Sequence, residues 1–461
     1  MSSTRNLSAG PISSHLFALA WPMVFGIIAI LSTFLVDAYF VGLLGTQELA
    51  ALSFTLPVVF IVNSLAFGLG AGAASVLSRF VGANDRESAG RVATDSLVLA
   101  LIMIVCIATV GSATVRPLFQ LLGADGETLN LIARYMRIWF MAVPFLVVPM
   151  MAGAMIRALG DALWPGIQMI ISAIVNIVTT PLLIFGYGPV PAMHIEGAAY
   201  GTFISWICTL IIAAWLVAVR ERLIVWRIPK PDVLIASWRR ILRVGIPAAG
   251  ARLINPLGIA IVTAILAAFG DPTVAAFGVA TRIESVAMIP MMALASAIAP
   301  IAGQNWGAGK PERVLQGLRQ SYTFCFGWAA ALGVVLYFFG EAAAGIFTSD
   351  PVVRKEAALY LMIVPPALWG VGWVTIGSAA YNAIDRPLRG LAYALARSAV
   401  LYVPLSFAAA LLAGTTAVFA AIAAANALAG IVTAAHSIAW LRDAIENHGA
   451  DGRLPSPTPD E

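Results

Sequence analysis

From Leu16 to Phe34 the chain reads LFALAWPMVFGIIAILSTF, without a charged residue, and comparable stretches recur along the chain. Serial apolar runs constrain the fold more than any other feature. A backbone in lipid must satisfy its N–H and C=O groups internally, and a run of roughly 20 apolar residues does so as a spanning α-helix. Twelve such segments are predicted, at approximately 15–44, 49–79, 91–115, 130–158, 163–188, 197–219, 244–270, 275–303, 315–342, 355–383, 388–412 and 415–441. Most are longer than a bilayer core requires, so tilt or extension beyond it is expected. Charged residues make up only 11% of the 461, against about 25% in soluble domains, which excludes a soluble fold.

The chain also repeats itself. Pro22 pairs with Pro247, Gly45 with Gly270, Ala50-Ala51 with Ala275-Ala276, Gly82-Ala83 with Gly307-Ala308, and Glu87 with Glu312, each at a separation of 225 residues. Further on, Asp161 and Asp385 differ by 224, so the relation persists with one deletion. Six segments separate equivalents, so the halves share one orientation and are expected to be related by an axis along the membrane normal. The expected fold is therefore an all-α membrane protein with twelve transmembrane helices in two pseudo-symmetric six-helix lobes. The expected boundaries are an N-terminal lobe (1–219), a cytoplasmic linker (220–243), a C-terminal lobe (244–441) and a polar cytoplasmic tail (442–461). Two lobes facing each other across a central cleft suit an alternating-access carrier.

Charge placement sets the expected orientation. With the N-terminus inside, the cytoplasmic loops, linker and tails hold 19 of the 27 Lys and Arg, and the opposite face holds Arg116, Arg134, Arg137, Arg354 and Lys355. Both termini are thus expected in the cytoplasm. The N-terminal MSSTRNLSAG has no cleavable signal pattern. The basic linker Arg220–Arg243 reads as a topology determinant at the lipid surface, and so short a loop is a poor nucleic-acid site. Cys106, Cys208 and Cys325, odd in number and without a CxxC, argue against a disulfide framework or a metal site.

Polar residues inside the spans are the candidates for function, because a carboxylate in lipid costs at least a few kcal/mol. Asp37, in FLVDAYFVG, has Val262 as its repeat equivalent, so this acid belongs to the N-terminal lobe alone. A helix ending near Val36 would instead leave it in the headgroup region. Helix five reads SAIVNIVTTPLLIFG and sets Asn176 and Thr180 at i and i+4, on one face. Pro181 removes a backbone donor there and frees a carbonyl one turn back. Thr202 opens helix six. Such oxygen ligands suit a hard cation or water, and the bland alternative is hydrogen-bonded glue between helices. In the second half, Arg252 and Arg397 are expected to snorkel to the cytoplasmic face. Arg282 and Glu284, two apart in TRIES, cannot share a helix face, and with Arg252 they are further candidates for a lobe charge or substrate contact. Pro144, Pro149, Pro365 and Pro366 mark expected kinks. Methionines such as Met141, Met151 and Met291 offer an adaptable wall for flat cations, or ordinary packing.

These residues resemble one family, the multidrug and toxic compound extrusion (MATE) transporters, and within it the DinF-like branch. The likeness covers essentially the whole chain. It rests on WPM…VDAYFVGLLGTQELAA, RALGDALWP, NIVTTPLLIFGYG and HIEGAAYGT, then on GIPAAGARL…FGDPTVAAFGVATRIESVAMIP and GQNWGAGKPER. The resemblance implies efflux of small amphipathic organic cations by proton or sodium antiport. It implies a multi-pass protein of the cell (inner) membrane, monomeric among its lipids and without a cofactor. Asp37, Asn176 and Thr202 match the branch's cation site, and Pro22 matches a proline associated with bending of helix one. Thr180 departs from the pattern, since many members carry a second aspartate there, and Asn255 stands near where other branches place a helix-seven glutamate. One fewer carboxylate disfavours tight sodium binding at Asp37 and Asn176, so protons are the expected coupling ion.

Burial disfavours the charged form of Asp37, while Asn176, Thr180, Thr202 and water favour it through hydrogen bonds. The opposition is expected to leave an acid that changes protonation during transport. If protonated and substrate-loaded states favour opposite openings, a proton gradient drives export. Two rivals stand beside this reading. A flippase for a lipid-linked saccharide would need a wider cationic cavity than three intramembrane arginines provide. A membrane-embedded transferase would need an acidic cluster such as DxD or DDxxD, which the chain lacks.

Overall fold

The computed structural model describes residues 6–225 and 231–451. The start of the N-terminal segment, the middle of the basic linker and the end of the polar tail lie outside the described residues. The first half forms α1 (Ile12–Gly42), α2 (Thr46–Gly82), α3 (Arg86–Leu121), α4 (Gly126–Ala158), α5 (Leu163–Phe185) and α6 (His194–Trp215), the last prolonged by a π-helical turn, Leu216–Arg220. The second half forms α7 (Pro231–Ala267), α8 (Asp271–Ala287), α9 (Ile289–Gly307), α10 (Pro311–Gly345), α11 (Pro351–Ile363), α12 (Leu368–Ala383), α13 (Pro387–Leu395) and α14 (Val403–Asp451). A 3₁₀ turn, Pro365–Ala367, joins α11 to α12, and a π-helical turn, Ala396–Tyr402, joins α13 to α14.

By length and apolarity ten of the described helical stretches can cross a bilayer, or eleven when α8 and α9, bent by 44°, count as one span. The stretch Pro387–Asn447 is broken at Ala413 (φ −153°) and Gly414 (φ 77°), which divides it in two and completes the twelve. Gly414 takes a left-handed conformation that a side chain would oppose. The paired prolines expected to kink helix ten interrupt it outright, because neither Pro365 nor Pro366 can donate to the helical ladder. Pro144 and Pro149 lie within an unbroken α4.

The repeat is visible in where helices begin and end. Gly42 and Ala267, Thr46 and Asp271, Gly82 and Gly307, Arg86 and Pro311, Gly126 and Pro351, and Ala158 and Ala383 are all 225 residues apart. The single deletion falls in the next turn, since α5 and α13 begin 224 apart, at Leu163 and Pro387. Gly45 (φ 157°) and Gly270 (φ 105°) hold equivalent turns open at conformations that exclude side chains.

The contacts cluster into two compact units. The first comprises 21–81 and 85–246, and the second 6–20, 82–84 and 247–451. The division of α1 falls beside Pro22 and that of α7 beside Pro247, the first repeat pair. In the first unit the packing centres on α4, which buries Tyr135, Met136, Trp139, Phe140, Met151 and Met155. The sequence reading ended the linker at Arg243, whereas α7 already begins at Pro231. Asp232 in its first turn complements the helix dipole, and the Trp238 Nε1–H donates to the Asp95 carbonyl at 3.0 Å. In the second unit the Leu7 amide donates to Gln304 Oε1, and its carbonyl accepts from Asn305 Nδ2, each at 3.1 Å.

Candidate functional site

Helix α1 runs through Val36 to Gly42, so Asp37 lies inside the helix, partly buried. The Thr180 hydroxyl of α5 donates to Asp37 Oδ1 at 3.3 Å. One turn earlier on α5, Asn176 is 1% exposed, and its Nδ2 donates to the Thr202 hydroxyl of α6 at 3.3 Å. Thr202 in turn donates to its own helix, at the Ala198 carbonyl, 3.1 Å away. All four residues singled out in the N-terminal half therefore meet in one unit. The Asn176 Oδ1 is buried and accepts no hydrogen bond from the described residues. A buried acceptor left without a partner costs about 1–3 kcal/mol, and this oxygen has the capacity to take a donor or a cation.

Close helix packing places these groups. A Cβ at Gly201 would lie 2.5 Å from Thr180 Oγ1 and 2.9 Å from Thr180 Cα, and one at Gly197 would lie 2.5 Å from the Leu183 carbonyl carbon. The two glycines, four apart, let α6 lie directly against α5. On the other side of α5, a Cβ at Gly166 would come within 2.7 Å of the Pro22 carbonyl oxygen. Pro22 and Pro181 both sit inside continuous helices. Each lacks a backbone donor, which leaves the carbonyls of Ala18 and Ile177 without their usual helical partners.

One neighbour escaped the sequence reading. Tyr135 of α4, 7% exposed, lies within electrostatic reach of Asp37. An aromatic in an apolar span carries no local signal of its own. Asp161, of RALGDALWP, has a different task. Its Oδ1 accepts from the Leu163 and Trp164 amides at 2.9 and 3.3 Å, and its Oδ2 pairs with Arg220 at 2.8 Å. It caps α5 and ties that turn to the end of α6.

The second unit contains a separate polar cluster. Glu284 of α8 accepts from the Tyr360 hydroxyl of α11 at 2.6 Å, while Arg282 points elsewhere and is exposed. Arg252 is exposed as well. Arg397 does not snorkel as expected. It is 8% exposed, and its Nε and Nη1 donate to Asn426 Oδ1 at 3.0 Å and Asn255 Oδ1 at 2.8 Å. Two amide oxygens satisfy the guanidinium in place, so extension to the headgroups would leave them unpaired. Asn255, where a glutamate was the family alternative, thus serves as a neutral acceptor for a buried cation.

A membrane protein of two repeated six-span halves, with a lone acid held among polar residues of helices one, five and six, has the construction of a secondary transporter. The MatE family model matches residues 22–182 and 247–408, one copy in each half. The chain belongs to the multidrug and toxic compound extrusion family, and is a transporter, not an enzyme. Among curated relatives, it is 37% identical to an FAD transporter of Shewanella oneidensis, over 94% of this chain and 95% of that one. It is 26% identical to the multidrug export protein MepA of Staphylococcus aureus, over 80% of this chain and 81% of that one. Among solved structures, the Vibrio cholerae MATE transporter VcmN in the bent form superposes with a TM-score of 0.89 at 28% identity, covering 94% of this chain and 97% of that one.

Proposed function

We propose that this transporter exports small amphipathic molecules by alternating access, driven by inward movement of protons through protonation and release at Asp37. The observation that carries the proposal is the Thr180–Asp37 contact beside the unpartnered Asn176 oxygen. Protonation of Asp37 abolishes its charge and turns one of its oxygens into a donor, which an acceptor such as Asn176 Oδ1 can receive. Loading therefore trades an ionic state for a hydrogen-bonded neutral one, and the two states bias the helices differently. Asn176, Thr180 and Thr202 tune the acid, and α1 bending at Pro22 transmits the change. A charge crossing the membrane contributes about 2.3 kcal/mol per 100 mV, enough with a pH difference for a gradient of several tens-fold. The residues also suit sodium, but with Thr180 in place of a second carboxylate the site favours protons. The basic loops support cytoplasmic termini in a cell inner membrane.

The multidrug relative supports a drug-like substrate, and the lone carboxylate of Asp37 suits a cationic one. A second reading, an anionic flavin dinucleotide, is supported by the relative at 37% identity and by Arg397, a buried cation held by neutral amides rather than by a salt bridge. Uptake into inverted vesicles under an imposed pH or sodium gradient tests both, with ethidium and FAD as alternative cargoes. Gradient-driven uptake of neither, or uptake of lipid-linked sugar in its place, overturns the proposal.

A further inference from the structure

Tyr135 and Tyr360 are 225 residues apart, on α4 and α11, whose starts are also 225 apart. They are repeat equivalents, 7% and 1% exposed. Each has an intramembrane carboxylate of its own unit in its electrostatic neighbourhood: Asp37 for Tyr135, and Glu284, which accepts from the hydroxyl at 2.6 Å, for Tyr360. The acids themselves are not equivalents. The counterpart of Asp37 is Val262 and that of Glu284 is Val59, both buried and apolar. Both halves therefore carry this tyrosine with an acid in its electrostatic neighbourhood, from α1 in one unit and from α8, in direct contact, in the other. A requirement for helix packing alone gives no reason for an acid to reappear beside that tyrosine from a new position.

The surroundings of Glu284 allow a change of charge. A hydroxyl–carboxyl distance of 2.6 Å is a short hydrogen bond, which favours the ionised acid and opposes the cost of burying it. Arg397 and Tyr402, both in the turn before α14, lie within electrostatic reach, and Arg397 forms no salt bridge with Glu284. Asn255 of α7 and Asn426 of α14 face Arg397 rather than the acid. Glu356, one turn before Tyr360 on α11, is occupied by the Thr273 hydroxyl at 2.9 Å. Helix α9 carries no charged residue. Helix α10 carries Glu312, Arg313 and Arg319 toward its start and Glu341, paired with Arg354 at 3.1 Å, toward its end. Protonation of Glu284 thus disturbs one short hydrogen bond and leaves the Arg397 charge unbalanced, taking the local net charge from about zero to positive.

We propose that Glu284 is a second coupling acid, so that a turnover loads and releases protons at one carboxyl in each unit. The proposal rests on reading the chain as an ion-coupled exporter, but its test does not depend on Asp37. Infrared pH-difference spectra of the purified full-length protein in lipid, without cargo, report carboxyls that change protonation. Wild type is expected to show buried carboxyl bands of which one is lost in Asp37→Asn and a different one in Glu284→Gln. Tyr360→Phe is expected to move the midpoint of the Glu284 band. It also stands in if Glu284→Gln fails to fold. In ethidium or FAD uptake, the logarithm of the accumulation ratio plotted against ΔpH is expected to lose about one unit of slope, tenfold per pH unit, in Glu284→Gln. No band lost in Glu284→Gln, no movement in Tyr360→Phe, or an unchanged slope overturns the proposal and makes Glu284 a permanent counter-charge to Arg397. Loss of a band only in Glu284→Gln would leave this inference standing and overturn the role given to Asp37.

Discussion

Gly201→Ala attacks the coupling site without touching an ionisable group. The added methyl would lie 2.9 Å from Thr180 Cα and 3.0 Å from its amide nitrogen, and that backbone cannot rotate aside. Ordinary carbon contacts are about 3.5–4.0 Å, so α6 must retreat from α5 by somewhere near 0.5–1 Å. Overpacking of this kind costs about 1–3 kcal/mol. The methyl also displaces the Thr180 hydroxyl, 2.5 Å away, whose bond to Asp37 is already 3.3 Å long and does not survive further stretching. A hydrogen bond to a charged group contributes about 1.5–3 kcal/mol, so the balance between protonation states should move by roughly ten- to a hundred-fold. Gly197→Ala is the control, because its methyl meets the Leu183 backbone and not Thr180. Both variants should lose comparable thermal stability in detergent, but gradient-driven uptake per folded molecule should fall selectively in Gly201→Ala. Equal transport loss in the two, or normal transport by Gly201→Ala, would refute the idea that this close approach positions the site.

Other perturbations separate structural from coupling roles. Thr180→Asp supplies the second carboxylate that many family members carry, and should make uptake respond to a sodium gradient, which wild-type vesicles assayed in parallel should not match. The double-mutant cycle of Asp161→Asn with Arg220→Gln should show a coupling of about 0.5–3 kcal/mol in stability, with the pH response of transport unchanged. Asp85 accepts from the Ser88 amide at 3.0 Å to cap α3, and Ser88 holds its carboxyl below the ordinary carboxylate range. A lowered value means that the cap is complete above the ordinary carboxylate range and is lost as pH falls through the lowered one. Asp85→Ala should therefore reduce melting temperature at neutral pH and make little difference in strong acid.

Much of the architecture is legible in the sequence because lipid leaves the backbone few choices. Apolar length marks the spans, and the gapless spacing of Pro22/Pro247 and Gly45/Gly270 carries through to the helix ends. The break at Ala413–Gly414 is likewise readable as the boundary between the last two spans. The α8–α9 bend lies within one apolar run and goes unmarked by apolar length, although Pro290 cannot donate to the Val286 carbonyl and so signals a break beside Met288. Helix α7 hides its start behind Arg239, Arg240 and Arg243, whose charges suggest a loop although the helix continues through them. Asn176 and Thr180 are readable as a pair because i and i+4 share a face, but only the fold brings Asp37 to them, 143 residues away from Thr180. Arg397 is misread for the same reason. Its acceptors Asn255 and Asn426 are distant in sequence, and an arginine near a span end otherwise suggests snorkelling. Tyr135 becomes informative only when the repeat sets it against Tyr360.

The central claim, that the ionisation of one acid drives transport, is tested most directly with Asp37→Asn in proteoliposomes carrying an imposed pH gradient. Folding is checked by gel filtration, and cargo binding is measured alongside uptake. The account predicts that the variant still binds cargo but no longer accumulates it against its gradient. Accumulation at the wild-type coupled rate would contradict it.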